Sequence, residues 1–232
     1  MKGMETLGGT PKPRGTGILP VAPSASEPNT PPTFRKRRGA FLPHWTCDGA
    51  AYAATFRLGD SLPRHVLEAW LMERRALVDA AARSAHALSE QEEKRLDERH
   101  SQPIEAYLDA GHGACWLRES AVAQLVADAL RHFDGQRYQL HAWCVMPNHV
   151  HGLVEPLSGH GLSAILHSWK SFTAKAANRT LGRTGVFWQE EYYDHLIRDA
   201  DDYAHARQYG MNNPAKAGLN NWRWVWSREE QP

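Results

Sequence analysis

The sequence lacks any hydrophobic run long enough to cross a bilayer. No apolar stretch approaches the roughly 20 residues of a transmembrane helix, and the first residues do not follow the charged-then-apolar order of a secretory signal. The sequence therefore predicts a cytoplasmic protein without a membrane partner.

Cysteine and net charge are also low. The chain has 3 cysteines among 232 residues. Cys47, Cys115 and Cys144 are widely spaced and form no Cys-x-x-Cys pair, which disfavours both a disulfide framework and a structural zinc site. The formal net charge is only +1 at pH 7. Any nucleic-acid surface must therefore come from a local cluster of basic side chains, because the whole chain is not strongly basic.

Proline is abundant at the start of the chain. Residues 1–38 hold seven of the 14 prolines together with Gly, Ser and Thr, a composition typical of disordered segments. We predict a disordered leader over residues 1–38. It ends in the basic run Arg35-Lys-Arg-Arg38, which is either a solvated edge or a phosphate contact. Residues 39–232 are predicted to form one domain with a helical insertion and a tryptophan-rich tail.

Apolar periodicity indicates alternating strands and helices in that domain. The predicted elements are a strand at 50–58, a charged helical insertion at about 62–117, a helix at 121–133 capped by Ser120, strands at 137–145 and 149–155, a helix at 162–180, a strand at 186–195 and a helix at 201–212 that Pro214 ends. Apart from the insertion, this order predicts an α+β fold, the ferredoxin-like split βαβ sandwich with an antiparallel sheet.

The predicted strands at 137–145 and 149–155 are joined by a short turn and form a hairpin. Two histidines lie at the start of its second strand. Side chains alternate between the faces of a strand, so His149 and His151 share one face while Val150 points to the other. Two imidazoles on one face can clamp a metal ion. The alternative is a pair of half-exposed strand histidines with no ligand.

A tyrosine and an asparagine lie one helical turn apart in the last predicted helix. Tyr209 and Asn213 are four residues apart, so they are neighbours on one helix face. An amide oxygen is a hard ligand that suits Mg²⁺ or Mn²⁺, and the phenol is a possible nucleophile toward a phosphodiester. The alternative is a packing aromatic followed by a C-terminal cap before Pro214.

Four sequence blocks, in this order, resemble the REP-associated tyrosine transposases, a group of single-tyrosine HUH (His-hydrophobic-His) enzymes. The blocks are Trp143-x-x-Met146-Pro-Asn-His-Val-His151, Trp169-Lys170-Ser-Phe-Thr173, Phe187-Trp-Gln-x-x-Tyr-Tyr-Asp-His195 with Ile197-Arg198, and Tyr209-x-x-x-Asn213-Pro-x-Lys-Ala-Gly-Leu219. The resemblance covers about residues 50–226. Two features depart from the family pattern: the insertion at 62–117 is long, and Gly210 stands where a bulky aliphatic residue is usual.

The resemblance implies a ferredoxin-like fold, a divalent metal (Mg²⁺ or Mn²⁺) and cleavage of single-stranded DNA through a 5′-phosphotyrosine link. On the matching positions the catalytic and metal-binding residues are His149 and His151, the third metal ligand is Asn213, and the nucleophile is Tyr209. The family implies hairpin substrates formed by repeated palindromes, and we expect a monomer or a homodimer. The basic residues expected to contact the DNA are Lys170, Lys175, Arg179, Arg198 and Lys216.

Two other functions fit parts of the sequence. The spacing His149-x-His151-x-x-x-Glu155 also suits a cupin-type metal oxygenase, although such proteins are nearly all β. The second alternative is a domesticated protein that binds DNA hairpins without cutting them. The presence of both histidines, Tyr209 and Asn213 favours the cutting enzyme over this second alternative.

Overall fold

The structure of the protein is a computed structural model that describes most of the chain from Arg35 to Arg228. The described residues are 35–38, 43–47, 49–63, 65, 66, 68, 69, 72, 76 and 104–228. The predicted leader up to residue 34 and much of the predicted helical insertion lie outside the described residues.

A five-stranded antiparallel sheet forms the centre of the described part. Its strands are β3 (Tyr52–Arg57), β4 (Tyr138–Val145), β5 (His149–Pro156), β6 (Tyr193–Leu196) and β7 (Val225–Ser227). Their spatial order is β6-β3-β5-β4-β7, and every neighbouring pair is antiparallel. Two further strands, β1 (Arg35–Arg38) and β2 (Pro43–Thr46), pair with each other in a separate hairpin.

Three helices of 12 or more residues complete the fold of the described part. They are α1 (Ser120–Arg131), α2 (Leu162–Thr180) and α3 (Ala200–Lys216). The chain order β3-α1-β4-β5-α2-β6, combined with the spatial order β6-β3-β5-β4, is that of the ferredoxin-like split βαβ sandwich. The predicted α+β fold is therefore confirmed, and β7 adds a fifth strand beside β4.

The two faces of the sheet have different roles. Along β3 the side chains of Tyr52, Ala54 and Phe56 are buried in the core. Trp169 of α2 packs on this face, with its ring 6.4 Å from that of Phe56, and its indole Nε1 donates to the Tyr138 hydroxyl at 2.9 Å. The alternate residues of β3 point to the opposite face. That opposite face is free of α2 and carries the candidate site.

Two predicted boundaries are corrected by the structure. Ser120 is the first residue of α1 and not its cap; Glu119 precedes it without a side-chain capping bond. The predicted strand at 186–195 is reduced to Tyr193–Leu196, preceded by an isolated bridge between Trp188 and Leu58. The side chains of Phe187 and Trp188 are buried in the core, although these two residues do not lie in a continuous strand.

The last helix continues past the proline that was expected to end it. α3 extends to Lys216 with Pro214 inside it, so the predicted end at residue 212 is wrong. A proline in a helix crowds the carbonyl four residues earlier and cannot donate a hydrogen bond to it. Here that earlier residue is Gly210, whose carbonyl is left without a helical donor. Asn213 is consequently a helical residue and not a terminal cap.

The described part begins with a basic strand and ends with a tryptophan-rich tail. The basic run Arg35–Arg38 forms β1 and pairs with β2. At the other end, Trp224 is buried and the indole of Trp222 donates to the Val145 carbonyl at 2.7 Å. The tryptophan-rich tail therefore docks on the core, as β7 does.

Among the described residues, no helix is both long enough and apolar enough for a membrane span.

Candidate active site

The turn between β4 and β5 places two histidines face to face. The Met146 amide donates to the His149 carbonyl at 2.8 Å and closes the turn. The Nε2 atoms of His149 and His151 are 3.0 Å apart, and their rings are nearly perpendicular at 87°. Both side chains are buried, with relative exposures of 1% and 8%. They are therefore not the half-exposed strand histidines of the alternative interpretation.

Each imidazole is held by a hydrogen bond on its other nitrogen. Nδ1 of His149 lies 2.8 Å from the Asn148 Oδ1, and Nδ1 of His151 lies 2.8 Å from the Thr55 hydroxyl. A proton on each Nδ1 satisfies these contacts and leaves the facing Nε2 atoms with lone pairs. Burial lowers the pKa of both histidines, that of His151 to about 4 with a further contribution from the charge of Lys216. Both rings are thus neutral at neutral pH.

Asn213 of α3 brings an amide to the same point. Its side chain is fully buried, its Nδ2 lies 2.8 Å from Nε2 of His151, and its Oδ1 has no hydrogen-bond partner. The oxygen and nitrogen of an amide are assigned from such contacts, and a 180° turn of the amide would exchange them. A buried oxygen without a partner beside two imidazole lone pairs is a donor set that fits a divalent cation.

No cluster of three or more His, Cys, Asp or Glu suited to a metal occurs in the described part of the chain. The set of two histidines and one amide is therefore the candidate metal centre, and its amide oxygen favours a hard cation.

Tyr209 stands beside this centre. Its ring centroid is 5.5 Å from that of His151, and Nζ of Lys216 lies 4.4 Å above the phenol ring. The phenol is hydrogen-bonded to the side chains of Glu105 and Asn213. Burial, and then the negative charge of Glu105, raises the pKa of Tyr209. The structure thus brings together the four residues that the sequence motifs indicated.

Glu105 was not identified from the sequence. It belongs to a helical segment at 104–109 near the end of the predicted insertion. The chain after this segment is tied to the histidine turn, because Nδ2 of Asn148 donates to the His112 carbonyl at 2.9 Å and the Leu117 amide donates to the Pro147 carbonyl at 3.1 Å. Burial raises the pKa of Glu105, which makes its carboxylate a stronger proton acceptor. The charged pattern of the insertion indicated only a solvated segment.

Two further residues of the site come from β3. Thr55 lies opposite His151 and Arg57 lies opposite His149 in the antiparallel register. The hydrogen bond from Thr55 to His151 confirms that these partners share a face of the sheet. No sequence signal singled them out, because the pairing of β3 with β5 depends on the tertiary order of the strands.

The predicted DNA-binding residues lie on different surfaces. Lys216 is beside Tyr209, whereas Lys175 and Arg179 are exposed on α2, on the other side of the sheet from the histidines. Lys170 is half-buried, and its Nζ donates to the Glu190 carbonyl. Arg198 is exposed just before α3, where its amide donates to Asp202. The structure therefore brings one of the five to the candidate centre.

The ligand set of a cupin-type oxygenase is not assembled. Glu155, the third residue of that pattern, lies 3.3 Å from Nε2 of His141. His151 instead contacts Asn213 of α3. Together with the ferredoxin-like topology, this arrangement overturns the cupin interpretation.

Comparison with known proteins gives matches of three kinds. Residues 118–213 match the family model described as "Transposase IS200 like". An uncharacterized protein of Haemophilus influenzae is 30% identical over 91 residues, in an alignment that covers 30% of this chain and 51% of the relative. The chain therefore spans about half the length of the curated relative that it matches.

The third match is a solved structure of a REP-associated tyrosine transposase bound to a REP hairpin. It is 16% identical, has a TM-score of 0.44 and covers 82% of this chain and 81% of that chain. Because this TM-score lies below 0.5, the fold assignment rests on the strand order described above and not on this likeness.

The segment matched by the family model contains both histidines, Tyr209 and Asn213. The matched segment does not include Glu105, and it does not include β3, the strand that contributes Thr55 and Arg57 to the site. Residues 118–213 of this chain are therefore similar to the IS200-like transposases.

Proposed function

We propose that the protein is a metal-dependent enzyme that cuts and rejoins single-stranded DNA through a 5′-phosphotyrosine on Tyr209. The observation that carries this proposal is the position of the Tyr209 phenol, which is hydrogen-bonded to Asn213 and packed against His151. A nucleophile beside a neutral two-histidine, one-amide donor set is suited to phosphoryl transfer.

The donor set supports a divalent cation, Mg²⁺ or Mn²⁺, held by His149, His151 and Asn213. When bound there, such a cation withdraws charge from a non-bridging oxygen of a phosphodiester. Asn148 and Thr55 keep the two imidazoles oriented with their Nε2 lone pairs toward it.

The chemical step exchanges one phosphoester bond for another. The Tyr209 oxygen forms a bond to phosphorus while the bond to the 3′ oxygen breaks, so the energy of the broken bond is retained in the phosphotyrosine. The phenol proton passes to the Glu105 carboxylate, which already accepts its hydrogen bond, and the departing 3′ oxygen takes a proton from solvent. Rejoining is the reverse of this step and needs no external energy source.

The burial of the donor atoms favours single-stranded DNA as the substrate. The donor atoms are buried between the sheet and α3. A phosphate within a stacked duplex cannot reach them without local unpairing. That the single strand flanks a hairpin of a repeated palindrome follows from the motif resemblance, and exposed basic side chains such as Lys175 and Arg179 are suited to hold such a hairpin by its phosphates.

The proposal is tested by the variant Tyr209→Phe, which removes one oxygen and keeps the ring. The substrates are labelled oligonucleotides, single-stranded and duplex, that carry the palindromic repeats flanking the gene, with and without Mg²⁺ or Mn²⁺. We expect a covalent protein–DNA adduct on single strands only, mapped to Tyr209 and absent in the Phe variant, with unchanged DNA affinity.

The matched control is Tyr203→Phe, on the same helix but with its ring 5.4 Å from His141. This control should keep full adduct formation. An adduct that persists in Tyr209→Phe would refute the assignment of the nucleophile. Hairpin binding by the wild-type protein without any adduct would support the non-cutting DNA-binding alternative instead.

A further inference from the structure

Arg57 lies on β3, the strand that pairs with the histidine strand β5. It is the register partner of His149, and directly opposed residues in an antiparallel pair have Cβ atoms about 4.5–5.5 Å apart. The neighbouring pair, Thr55 with His151, is joined by a 2.8 Å hydrogen bond, which fixes the direction of both β3 side chains. The guanidinium therefore leaves the sheet on the same side as the two imidazoles.

The guanidinium of Arg57 has few polar contacts that offset the cost of removing its charge from water. Burial lowers the pKa of Arg57 to about 10. Among the described residues, its side chain has one hydrogen bond, to the Ser61 hydroxyl at 3.4 Å, and no carboxylate ion-pairs with it. The side chain is half-buried, and a guanidinium with a single long hydrogen bond is suited to bind an anion.

The position of Arg57 relative to α3 indicates which anion. α3 packs mainly over β4, β5 and β7, and Tyr209 approaches His151 from that side. β3 borders β5 on its other edge. Arg57 therefore lies across the histidines from the tyrosine. In an in-line displacement the leaving group departs opposite the nucleophile.

We infer that Arg57 binds the phosphodiester being cut, on the leaving-group side of His149. This inference rests on the proposed function and adds a residue that contacts the substrate. The planar guanidinium donates to phosphate oxygens in two parallel hydrogen bonds, a geometry that a lysine cannot reproduce. Its charge stabilises the negative charge that spreads over the phosphate oxygens during displacement.

The test compares Arg57→Gln and Arg57→Lys with the control Arg131→Gln. Arg131 is on α1, in the layer on the other side of the sheet, and is ion-paired with Asp128, so its replacement by Gln changes the net charge equally. The rate of adduct formation is measured under single-turnover conditions with Mn²⁺ and the hairpin oligonucleotides. We expect Arg57→Gln to slow the adduct by about 100-fold or more, Arg57→Lys to be intermediate, and Arg131→Gln to stay within about twofold of wild type.

Two readouts separate a substrate contact from a structural role. The thermal midpoint of Arg57→Gln should equal or exceed that of wild type, because the variant removes a half-buried charge that has no ion-pair partner among the described residues. A methylphosphonate at the mapped cleavage position removes the phosphate charge, and it should reduce the rate ratio of wild type to Arg57→Gln severalfold.

The outcomes are distinguishable. Equal adduct rates for wild type and Arg57→Gln would overturn the inference while leaving the proposed function intact. So would a slow variant with a lowered midpoint and a rate ratio that the methylphosphonate does not change. A wild-type protein that forms no adduct with any repeat oligonucleotide would refute the proposed function, and the inference with it.

Discussion

Replacing Thr55 by valine tests whether the hydrogen bonds behind the histidines set the affinity for the metal. The hydroxyl of Thr55 lies 2.8 Å from Nδ1 of His151, and valine has nearly the same shape without the oxygen. In the metal-binding form Nδ1 carries the proton and donates it to Thr55. Loss of this acceptor leaves the ring free to adopt the other tautomer, in which Nε2 has no lone pair for a metal.

The expected effect on folding is small. A neutral hydrogen bond contributes about 0.5–1.5 kcal/mol to stability, and the higher strand propensity of valine offsets part of that loss. We expect the free energy of unfolding to fall by about 1 kcal/mol, which corresponds to a midpoint lower by about 2–4 °C for a domain of this size. The expected effect on metal affinity is larger, about 10- to 100-fold.

The assay is a Mn²⁺ titration followed both by calorimetry and by the rate of adduct formation. Thr55→Val should need a higher Mn²⁺ concentration for half-maximal rate, with recovery at saturating metal. The control is Thr173→Val: this buried threonine donates to the Trp169 carbonyl and accepts from the Trp188 indole in the other layer. The control should lose stability and keep its Mn²⁺ affinity. An unchanged Mn²⁺ midpoint in Thr55→Val, or an equal shift in the control, would refute the reasoning.

Three further results are expected. His149→Ala and His151→Ala should each abolish the adduct while hairpin binding, measured by gel shift, stays within a few-fold of wild type; equal loss of both would show a structural role. Lys175→Ala and Arg179→Ala should each flatten the log–log dependence of hairpin affinity on salt by about 0.7–0.9 if each residue meets one phosphate, whereas an unchanged slope returns both to a solvated surface. Gly210→Ala should raise the unfolding free energy by about 0.5–1 kcal/mol, because nothing lies within 4 Å of the added Cβ; a lower thermal midpoint would show that the helix requires glycine there.

Local periodicity was sufficient to predict much of the scaffold. His149 and His151 are two residues apart on a strand and therefore share one face. Tyr209 and Asn213 are four residues apart on a helix and are therefore neighbours. Both pairs could be predicted from the sequence. The bounds of α2 were predicted correctly for the same reason. What local patterns could not show is how the two pairs meet, since that depends on α3 crossing the face of the sheet.

The residues that were missed all reach the site through contacts between distant parts of the chain. Thr55 and Arg57 become neighbours of the histidines because β3 pairs with β5. Glu105 meets Tyr209 across more than a hundred residues. The error at the end of α3 has a different cause, since proline disfavours a helix interior without excluding it and α3 continues through Pro214.

The proline within α3 also determines where this helix can bend. Because Pro214 has no amide hydrogen, the carbonyl of Gly210 has no helical donor, and this missing bond lies in the turn of α3 that carries Tyr209 and Asn213. Proline is a common cause of helix kinks for this reason. A bend of α3 at this turn would therefore change the distance between the proposed nucleophile and the proposed third metal ligand.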